Sequence, residues 1–275
     1  MERRFIQISG IRLSYLEKNP DKSETIFLIH HNCGSAQVWR KQLASPLFNA
    51  YRLIAFDLPG HGQTDVLEDD QDYFNFLVLS RTLAQAIKQL ITSNRYILVG
   101  VSLGTNVVAE MLCEDLEPVG MILAGPSTVG KTECTISQMM KPGSEASVLY
   151  MDEADLTAVK RYAGQILLSR DPEDQEIILA DYLAVRKTLR PKIGECIATG
   201  NYNDEIALLE KQNSPLLVVF GEEDYIVNTD YLDTAALPLW QNKIFKIPRA
   251  GHLVNVDQPK AFNELMADFA QEILH

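Results

Sequence analysis

Long apolar segments are missing from this chain of 275 residues. No apolar run approaches the roughly 20 residues that a helix needs to span a membrane. The first ten residues, MERRFIQISG, also lack the apolar stretch of a secretory signal. We therefore predict a cytoplasmic protein that does not act at a membrane.

Cysteine is scarce, and neither cysteine nor histidine follows a metal-ligand spacing. Cys33, Cys113, Cys134 and Cys196 are scattered with no C-x-x-C pair, which argues against a disulfide scaffold and against a zinc site. The histidines form no H-E-x-x-H or similar pattern. The sequence therefore predicts no metal site and fits a reducing compartment.

Basic residues are also fewer than acidic residues. The chain has 25 Lys and Arg against 37 Asp and Glu, a formal net charge of −12, which argues against nucleic acid as a partner. The densest basic stretch holds Arg186, Lys187, Arg190 and Lys192. We interpret it as a solvated helix face, and the alternative is that one of these residues contacts an anionic group of a substrate.

Short apolar runs predict the strands of a sheet. They cover residues 5–8, 11–16, 25–29, 53–56, 96–99, 121–124, 216–220 and 244–247. Helical patterns lie between many of them, at 36–48, 74–91 and after residue 102, and a last helix starts at Pro259. This alternation predicts an α/β fold with a mostly parallel eight-stranded sheet and helices on both faces.

The alternation stops between the sixth and seventh predicted strands. Residues 127–212 contain helical patterns but no convincing buried strand. We interpret them as a helical cap inserted into a core domain of residues 1–126 and 213–275. Four residues of the insertion, Met139, Met140, Leu149 and Tyr150, either line an acyl pocket or form the insertion's own core.

A nucleophile motif follows the fifth predicted strand. Gly100-Val101-Ser102-Leu103-Gly104 lies between an apolar run and a helical pattern, and a strand, G-x-S-x-G and a helix is the context in which the serine acts as a nucleophile. The glycines keep side chains out of a crowded turn. The backbone N–H of Leu103, at the helix start, can face a developing oxyanion.

Other polar segments follow four predicted strands. They are residues 30–35 (HHNCGS), 57–62 (DLPGHG), 221–224 (GEED) and 250–252 (AGH). Ligands of an open α/β sheet bind at the carboxyl ends of its strands. Together with Ser102, these segments supply a nucleophile, an acid and a base in the chain order Ser, Asp, His.

These motifs, in this order, resemble those of the α/β-hydrolase superfamily, and the resemblance covers essentially the whole chain. It implies a catalytic triad in which Ser102 is the nucleophile, His252 the base and Asp224 the acid that orients His252. Glu222 and Glu223 are neighbouring carboxylates. Asp224 is preferred because the family motif places the acid third after the glycine.

The resemblance also implies two oxyanion-hole donors, the backbone N–H groups of Asn32 and Leu103. His31 stands where the family usually has glycine, so this loop departs from the pattern. We predict that His31 either points into the substrate pocket as a polar contact, faces solvent, or has a structural, hydrogen-bonded role. His61, in the DLPGHG turn, is interpreted as structural.

The motifs favour a serine hydrolase that cleaves a carboxylic ester or related acyl compound of a small molecule through an acyl-enzyme on Ser102, without a cofactor. Two alternatives remain, because one fold hosts many functions. One is a lyase, a C–C bond hydrolase or a cofactor-free oxygenase on the same frame. The other is a small-molecule receptor with slow turnover.

Overall fold

The computed structural model describes residues 1–65 and 74–275, which are organised around one eight-stranded sheet. Its strands are β1 (Glu2–Ile8), β2 (Ile11–Lys18), β3 (Thr25–Ile29), β4 (Arg52–Phe56), β5 (Tyr96–Val101), β6 (Gly120–Ala124), β7 (Leu216–Gly221) and β8 (Phe245–Ile247). Their order in the sheet is β1-β2-β4-β3-β5-β6-β7-β8. This confirms the predicted fold class.

The sheet is parallel from β4 to β8 and antiparallel at the end that holds β1 and β2. β1 and β2 form a hairpin, whose turn places Ser9 and Gly10 at φ values of 48° and 89°. Every residue of the five strands from β3 to β7 is buried. Both faces of the sheet are therefore covered, which explains the largely apolar sequences of these strands.

Helices follow most of the strands. They are α1 (Arg40–Leu43), α2 (Phe76–Leu90), α3 (Leu103–Glu110), α4 (Ile136–Met139), α5 (Leu156–Ile166), α6 (Pro172–Ala184), α7 (Arg190–Thr199), α8 (Glu205–Glu210), α9 (Val254–Asp257) and α10 (Pro259–Leu274). A side-chain carbon added to Gly120 would lie 2.9 Å from the Phe269 ring, so glycine lets α10 pack closely on β6. None of the helices in the described residues is long and apolar enough to cross a membrane.

The helix predicted for residues 36–48 is confirmed only in part, because helical structure runs continuously from Ala36 to Leu43 and then stops. The structure has a 3₁₀ turn at Ala36–Trp39, the short α1 and a second 3₁₀ turn at Pro46–Phe48. The Ser45 hydroxyl accepts a hydrogen bond from the N–H of Leu47 and so caps a new turn. Because Pro46 has no N–H, it cannot continue the preceding helix.

Residues 127–212 connect β6 to β7 and contain α4 to α8 but no strand beyond an isolated bridge at Met140. Several carboxylates attach this segment to the rest of the chain, and Asp174 and Asp257 are two of them. Asp174 accepts hydrogen bonds from Arg40 and Lys41, and Asp257 accepts them from the backbone N–H groups of residues 168 and 169. The division into a core and a cap stays a prediction.

Candidate active site

The turn between β5 and α3 holds Ser102 in an unusual backbone conformation. Its φ and ψ are 53° and −123°, a region that residues with a side chain enter only at a cost in free energy. The Ser102 N–H donates to the Ala124 carbonyl at 3.1 Å. The Thr105 hydroxyl donates to the Ser102 carbonyl at 2.6 Å. Bonds to β6 and within α3 therefore hold this strained turn in place.

The two glycines of the motif are required by close backbone contacts. A side-chain carbon on Gly100 would lie 2.3 Å from the Gly104 carbonyl oxygen, and one on Gly104 would lie 2.3 Å from the Ile29 carbonyl oxygen. Neither distance is possible for real atoms. Glycine at these positions therefore lets α3 begin directly against β3 and β5, as the sequence predicts.

His252 and Asp224 form a direct hydrogen bond, with 2.8 Å between His252 Nδ1 and Asp224 Oδ2. Both side chains are buried. The other carboxylate oxygen, Oδ1, accepts from the N–H groups of Ile226 and Val227 at 2.7 and 3.0 Å. Since Asp224 can only accept when ionised, Nδ1 carries the proton and Nε2 of His252 is free to act as a base.

Gly125, which follows β6, provides the space for His252. Its φ is 46°, and a side-chain carbon there would lie 2.3 Å from the His252 carbonyl oxygen and 3.3 Å from its Nδ1. A side chain at this position would therefore displace the imidazole. The chain after β6 contributes space to the site, because Gly125 has no side chain. It supplies no carboxylate.

Ser102 and His252 line the same cavity. Within residues 1–65 and 74–275, the Ser102 hydroxyl makes no hydrogen bond, so Ser102 and His252 are not hydrogen-bonded to each other here. Catalytic hydrogen bonds are often long before substrate binds. The structure thus joins Asp224 to His252 directly and brings Ser102 to the same space.

Two histidines near the site are structural supports. His30 donates from Nδ1 to the His31 carbonyl at 2.7 Å and accepts at Nε2 from the Leu58 N–H at 2.9 Å. His61 accepts from the Cys33 N–H at 3.2 Å. Burial lowers the pKa of His30 well below its usual value and that of His61 to about 4. Both rings are therefore neutral at pH 7 and tie the loop after β3 to the loop after β4.

The structure does not place His31 among the residues that line the cavity, and the predicted pocket contact stays a prediction. The cavity is lined by Asn32 but not by His31. The His31 Nδ1 bonds to the Asn32 carbonyl at 2.8 Å, and the ring packs so closely on Gly34 that a side-chain carbon there would lie 2.7 Å from His31 Nε2. Burial lowers the pKa of His31 to about 4. The ring is thus a neutral group buried beneath the loop.

Both predicted oxyanion-hole residues line the cavity beside Ser102. Leu103 is the first residue of α3, and helix geometry leaves the first N–H groups without an intrahelical partner. Asn32 lies in the loop after β3 and precedes Cys33, whose φ is 55°. This placement agrees with two backbone donors near Ser102, and their role stays a prediction.

The cavity has a volume of about 130 Å³ and is lined mainly by apolar side chains. Residues 127–212 contribute much of this lining, including all four residues that the sequence left open: Met139, Met140, Leu149 and Tyr150. Burial raises the pKa of Tyr150 to about 12, so its hydroxyl stays neutral. None of the lining residues in the described part of the chain is Lys, Arg, Asp or Glu.

None of the basic residues between 186 and 192 lines this cavity. Arg186 and Lys187 are exposed, as predicted. Arg190 is not on a solvated face, since it is buried over the Tyr182 ring and donates to the Tyr182 carbonyl at 2.7 Å. The structure does not place this stretch in the lining of the cavity, and its contact with an anionic substrate group stays a prediction.

Sequence reasoning missed three polar residues next to the cavity. Asn106 and Ser127 line it, and Glu205 is buried behind them. Asn106 is one turn beyond Ser102 on α3, so its position in the helix was the available signal. No pattern in the sequence connects Glu205, on α8, with this site.

Comparisons of the sequence with known proteins point to one fold family. A model described as the alpha/beta hydrolase fold matches residues 24–259. A Bacillus subtilis (strain 168) protein provisionally named as a 2-succinyl-6-hydroxy-2,4-cyclohexadiene-1-carboxylate synthase is 25% identical over 96% of each chain. Pimeloyl-[acyl-carrier protein] methyl ester esterase of Edwardsiella ictaluri (strain 93-146) is 26% identical over 89% of this chain and 92% of its own.

Solved structures show the same architecture. A mutant of the N-acyl homoserine lactonase AidH, complexed with N-hexanoyl homoserine lactone, superposes with a TM-score of 0.90. The alignment covers 99% of this chain and 98% of the lactonase at 21% identity. The family match, which spans most of the sequence, supports a hydrolytic enzyme. The chain belongs to the α/β-hydrolase fold family.

Proposed function

We propose that this protein hydrolyses a carboxylic ester or related acyl compound of a small molecule through an acyl-enzyme on Ser102. The observation that carries the proposal is the buried hydrogen bond of 2.8 Å between Asp224 and His252, at a cavity that Ser102 also lines. An imidazole held in one tautomer beside a serine on a strained turn is the arrangement that acyl transfer requires.

In the proposed reaction, Ser102 Oγ attacks the carbonyl carbon of the substrate while Nε2 of His252 takes the hydroxyl proton. The N–H groups of Leu103 and Asn32 stabilise the oxyanion. The C–O bond to the leaving group breaks as His252 returns the proton to it. A water molecule then attacks the acyl-enzyme by the same route, releasing the acid and restoring the Ser102 hydroxyl.

The cavity favours a small, uncharged acyl group. Its volume of about 130 Å³ is close to that of an apolar cavity of about 150 Å³ known to hold benzene, which corresponds to about six non-hydrogen atoms. No Lys or Arg lines the cavity among the described residues, so a carboxylate in the acyl group would lack a charged partner. Residues 127–212 act as the cap that encloses this group.

The relatives agree with this substrate class without identifying the substrate. The names of the similar proteins include a methyl ester esterase and a lactonase, and a lactone is a cyclic ester. The name of the Bacillus subtilis relative, a synthase, keeps a second candidate open for this chain. This candidate is a lyase in which Ser102 or His252 acts as a base. Among the described residues, no Lys or Arg lines the cavity, which weighs against a ligand that carries a carboxylate, such as the compound in that relative's name.

The test uses p-nitrophenyl esters of increasing acyl length with the wild type, Ser102→Ala and a control, Ser23→Ala, at an exposed loop serine. We expect turnover of short acyl esters by the wild type and the control. The Ser102→Ala variant should lose at least about 10⁴-fold in kcat. A fluorophosphonate should label the wild type and the control but not Ser102→Ala.

Two results would contradict the proposal. Equal ester turnover by Ser102→Ala and the wild type would show that Ser102 is not the nucleophile. Absence of both turnover and labelling in the wild type would favour the lyase or a receptor. Accumulation of an acyl-enzyme on Ser102 would exclude a mechanism in which this serine acts only as a base.

A further inference from the structure

Ser127 is a polar side chain of the cavity that the proposed mechanism does not use. It follows the end of β6 and lines the same cavity as Ser102 and His252. Its hydroxyl is 2.6 Å from Oδ1 of Asn106, which also lines the cavity. The role that Ser127 can play towards a ligand depends on which of these two atoms supplies the proton.

The direction of that hydrogen bond follows from the other contacts of Asn106. Its Nδ2 lies 2.7 Å from the Ser127 carbonyl oxygen and 2.7 Å from Oε2 of Glu205. Both partners are acceptors, so the amide nitrogen must face them. The amide oxygen then faces the Ser127 hydroxyl and can only accept, which means that Ser127 is the donor.

The network behind Asn106 fixes this arrangement. Glu205 is fully buried, and its Oε2 also accepts from the Val129 N–H at 2.8 Å. Burial raises the pKa of Glu205 well above its usual value. Because Oε2 already accepts two hydrogen bonds, a proton on this carboxyl resides on Oε1. The Asn106 amide therefore meets an acceptor at Oε2 in either protonation state.

Ser127 is also linked to the nucleophile turn. Its backbone N–H donates to the Thr105 hydroxyl at 3.0 Å, and that hydroxyl donates to the Ser102 carbonyl at 2.6 Å. The Ser127 side chain is thus held at a fixed position relative to Ser102. Its single hydroxyl proton is already used within the protein, and only its oxygen lone pairs remain for a ligand.

We propose that Ser127 is a specificity-determining residue that accepts a hydrogen bond from an O–H or N–H group on the acyl part of the substrate. The inference rests on the proposed function and narrows its substrate class to hydroxyacyl or amidoacyl compounds of small size. A substrate with a methyl group in place of the donor offers the Ser127 oxygen no hydrogen bond, and the loss of this bond costs binding energy in the transition state.

The experiment compares pairs of p-nitrophenyl esters that differ only by a hydroxyl or a methyl group. The pairs are 2-hydroxybutanoate with 2-methylbutanoate and 3-hydroxybutanoate with 3-methylbutanoate, so that the donor is offered at two positions. Each kcat/KM is divided by the rate constant for hydroxide-catalysed hydrolysis of the same ester. For the wild type, we expect the hydroxy ester of at least one pair to be preferred about tenfold.

Ser127→Ala removes the acceptor, and Ser127→Cys replaces it with a weak one of similar size. We expect the preference to fall to about one in Ser127→Ala and to decrease in Ser127→Cys, while Ser23→Ala retains it. The cysteine variant provides the answer if the alanine variant does not fold. The quantity compared is the ratio of the corrected kcat/KM values of the two esters in a pair. A general loss of activity lowers both values and leaves this ratio unchanged.

A preference near one in the wild type for both pairs, or a preference that survives in both Ser127 variants, would overturn the inference. If Ser102→Ala still abolishes turnover in those experiments, the proposed hydrolase stands and only the role of Ser127 is lost. If the wild type hydrolyses no ester and no fluorophosphonate labels Ser102, the proposed function fails and the inference fails with it.

Discussion

Ser102 has a backbone conformation that favours glycine, with φ at 53° and ψ at −123°. A side-chain carbon in a left-handed conformation costs roughly 1–2 kcal/mol, and glycine avoids this cost but loses more entropy on folding. We therefore expect Ser102→Gly to be more stable than Ser102→Ala by about 1 kcal/mol, although both lack the nucleophile. Urea unfolding of the two variants, monitored by circular dichroism, measures the difference.

The comparison isolates backbone strain because neither variant retains the hydroxyl. Equal midpoints, or a higher midpoint for Ser102→Ala, would contradict the idea that this turn stores strain. Strain at a nucleophile is consistent with stability being given up where function requires a particular geometry.

Asp224 supports a second prediction at the scale of single residues. Asp224→Asn preserves the size of the side chain but removes the charge that stabilises protonated His252, and an amide can bind the wrong imidazole tautomer. Ester turnover should fall by about 10⁴-fold in kcat. Glu222→Gln is the matched control, because Glu222 is an exposed carboxylate two residues away. If the control loses as much activity as Asp224→Asn, the assignment of the acid to Asp224 is wrong.

At the scale of elements, α6 is connected to the loop after β3 by one titratable contact. The Ser35 hydroxyl donates to Asp181 Oδ2 at 2.8 Å. Burial, with a smaller contribution from the nearby charge of Asp57, raises the pKa of Asp181 to about 7 from 3.8. The folded protein thus binds a proton that the unfolded chain has already released between these two pH values.

A carboxyl group with a raised pKa makes folding less favourable as pH increases, because the unfolded state holds fewer protons than the folded state. Wild-type stability should therefore decrease between about pH 4 and pH 7 relative to Asp181→Asn, whose amide oxygen can still accept from Ser35. Melting temperatures at pH 5 and pH 8 test this. The melting temperature of Asp181→Asn should exceed that of the wild type by more at pH 8 than at pH 5. An equal difference at both pH values would contradict the raised pKa of Asp181.

At the scale of the whole molecule, residues 127–212 are joined to the rest of the chain through buried Asp174. Its carboxylate accepts from Arg40, Lys41 and Ser169. Burial alone would raise the pKa of Asp174, but these three hydrogen bonds hold it below its usual value. This contribution to stability is present above pH 4 or so and is lost as the pH falls further.

We expect Asp174→Asn to lose about 2 kcal/mol of stability, since hydrogen bonds to charged groups contribute roughly 1.5–3 kcal/mol. Limited proteolysis should then cleave the variant faster than the wild type within residues 127–212. Glu173→Gln is the control, because Glu173 is exposed and lies 3.9 Å from Arg40. If Asp174→Asn instead exposes the sheet and the 127–212 segment to protease together, these residues do not open as a separate cap.

The strands were predictable because burial on both faces selects continuous apolar runs, as β3 and β7 show. The region from 36 to 48 was not, because its apolar residues also suit a chain of short turns. The choice between one helix and several turns was made by the Ser45 cap and by Pro46. The spacing of apolar residues alone does not show whether a helix continues or a capped turn begins.

Some features of the candidate active site were likewise predictable from the sequence, and others were not. The sequence by itself determined the fold family and the identities of Ser102, Asp224 and His252 as candidates, because each follows a strand and the carboxyl ends of parallel strands meet at one edge of the sheet. Only the tertiary structure decided that His31 is buried beneath its loop, that residues 127–212 line the cavity, and that Asn106 and Glu205 fix the Ser127 hydroxyl. The bond between Asn106 and Glu205, for example, joins residues 99 apart in the chain, and such contacts are set by packing rather than by any local pattern.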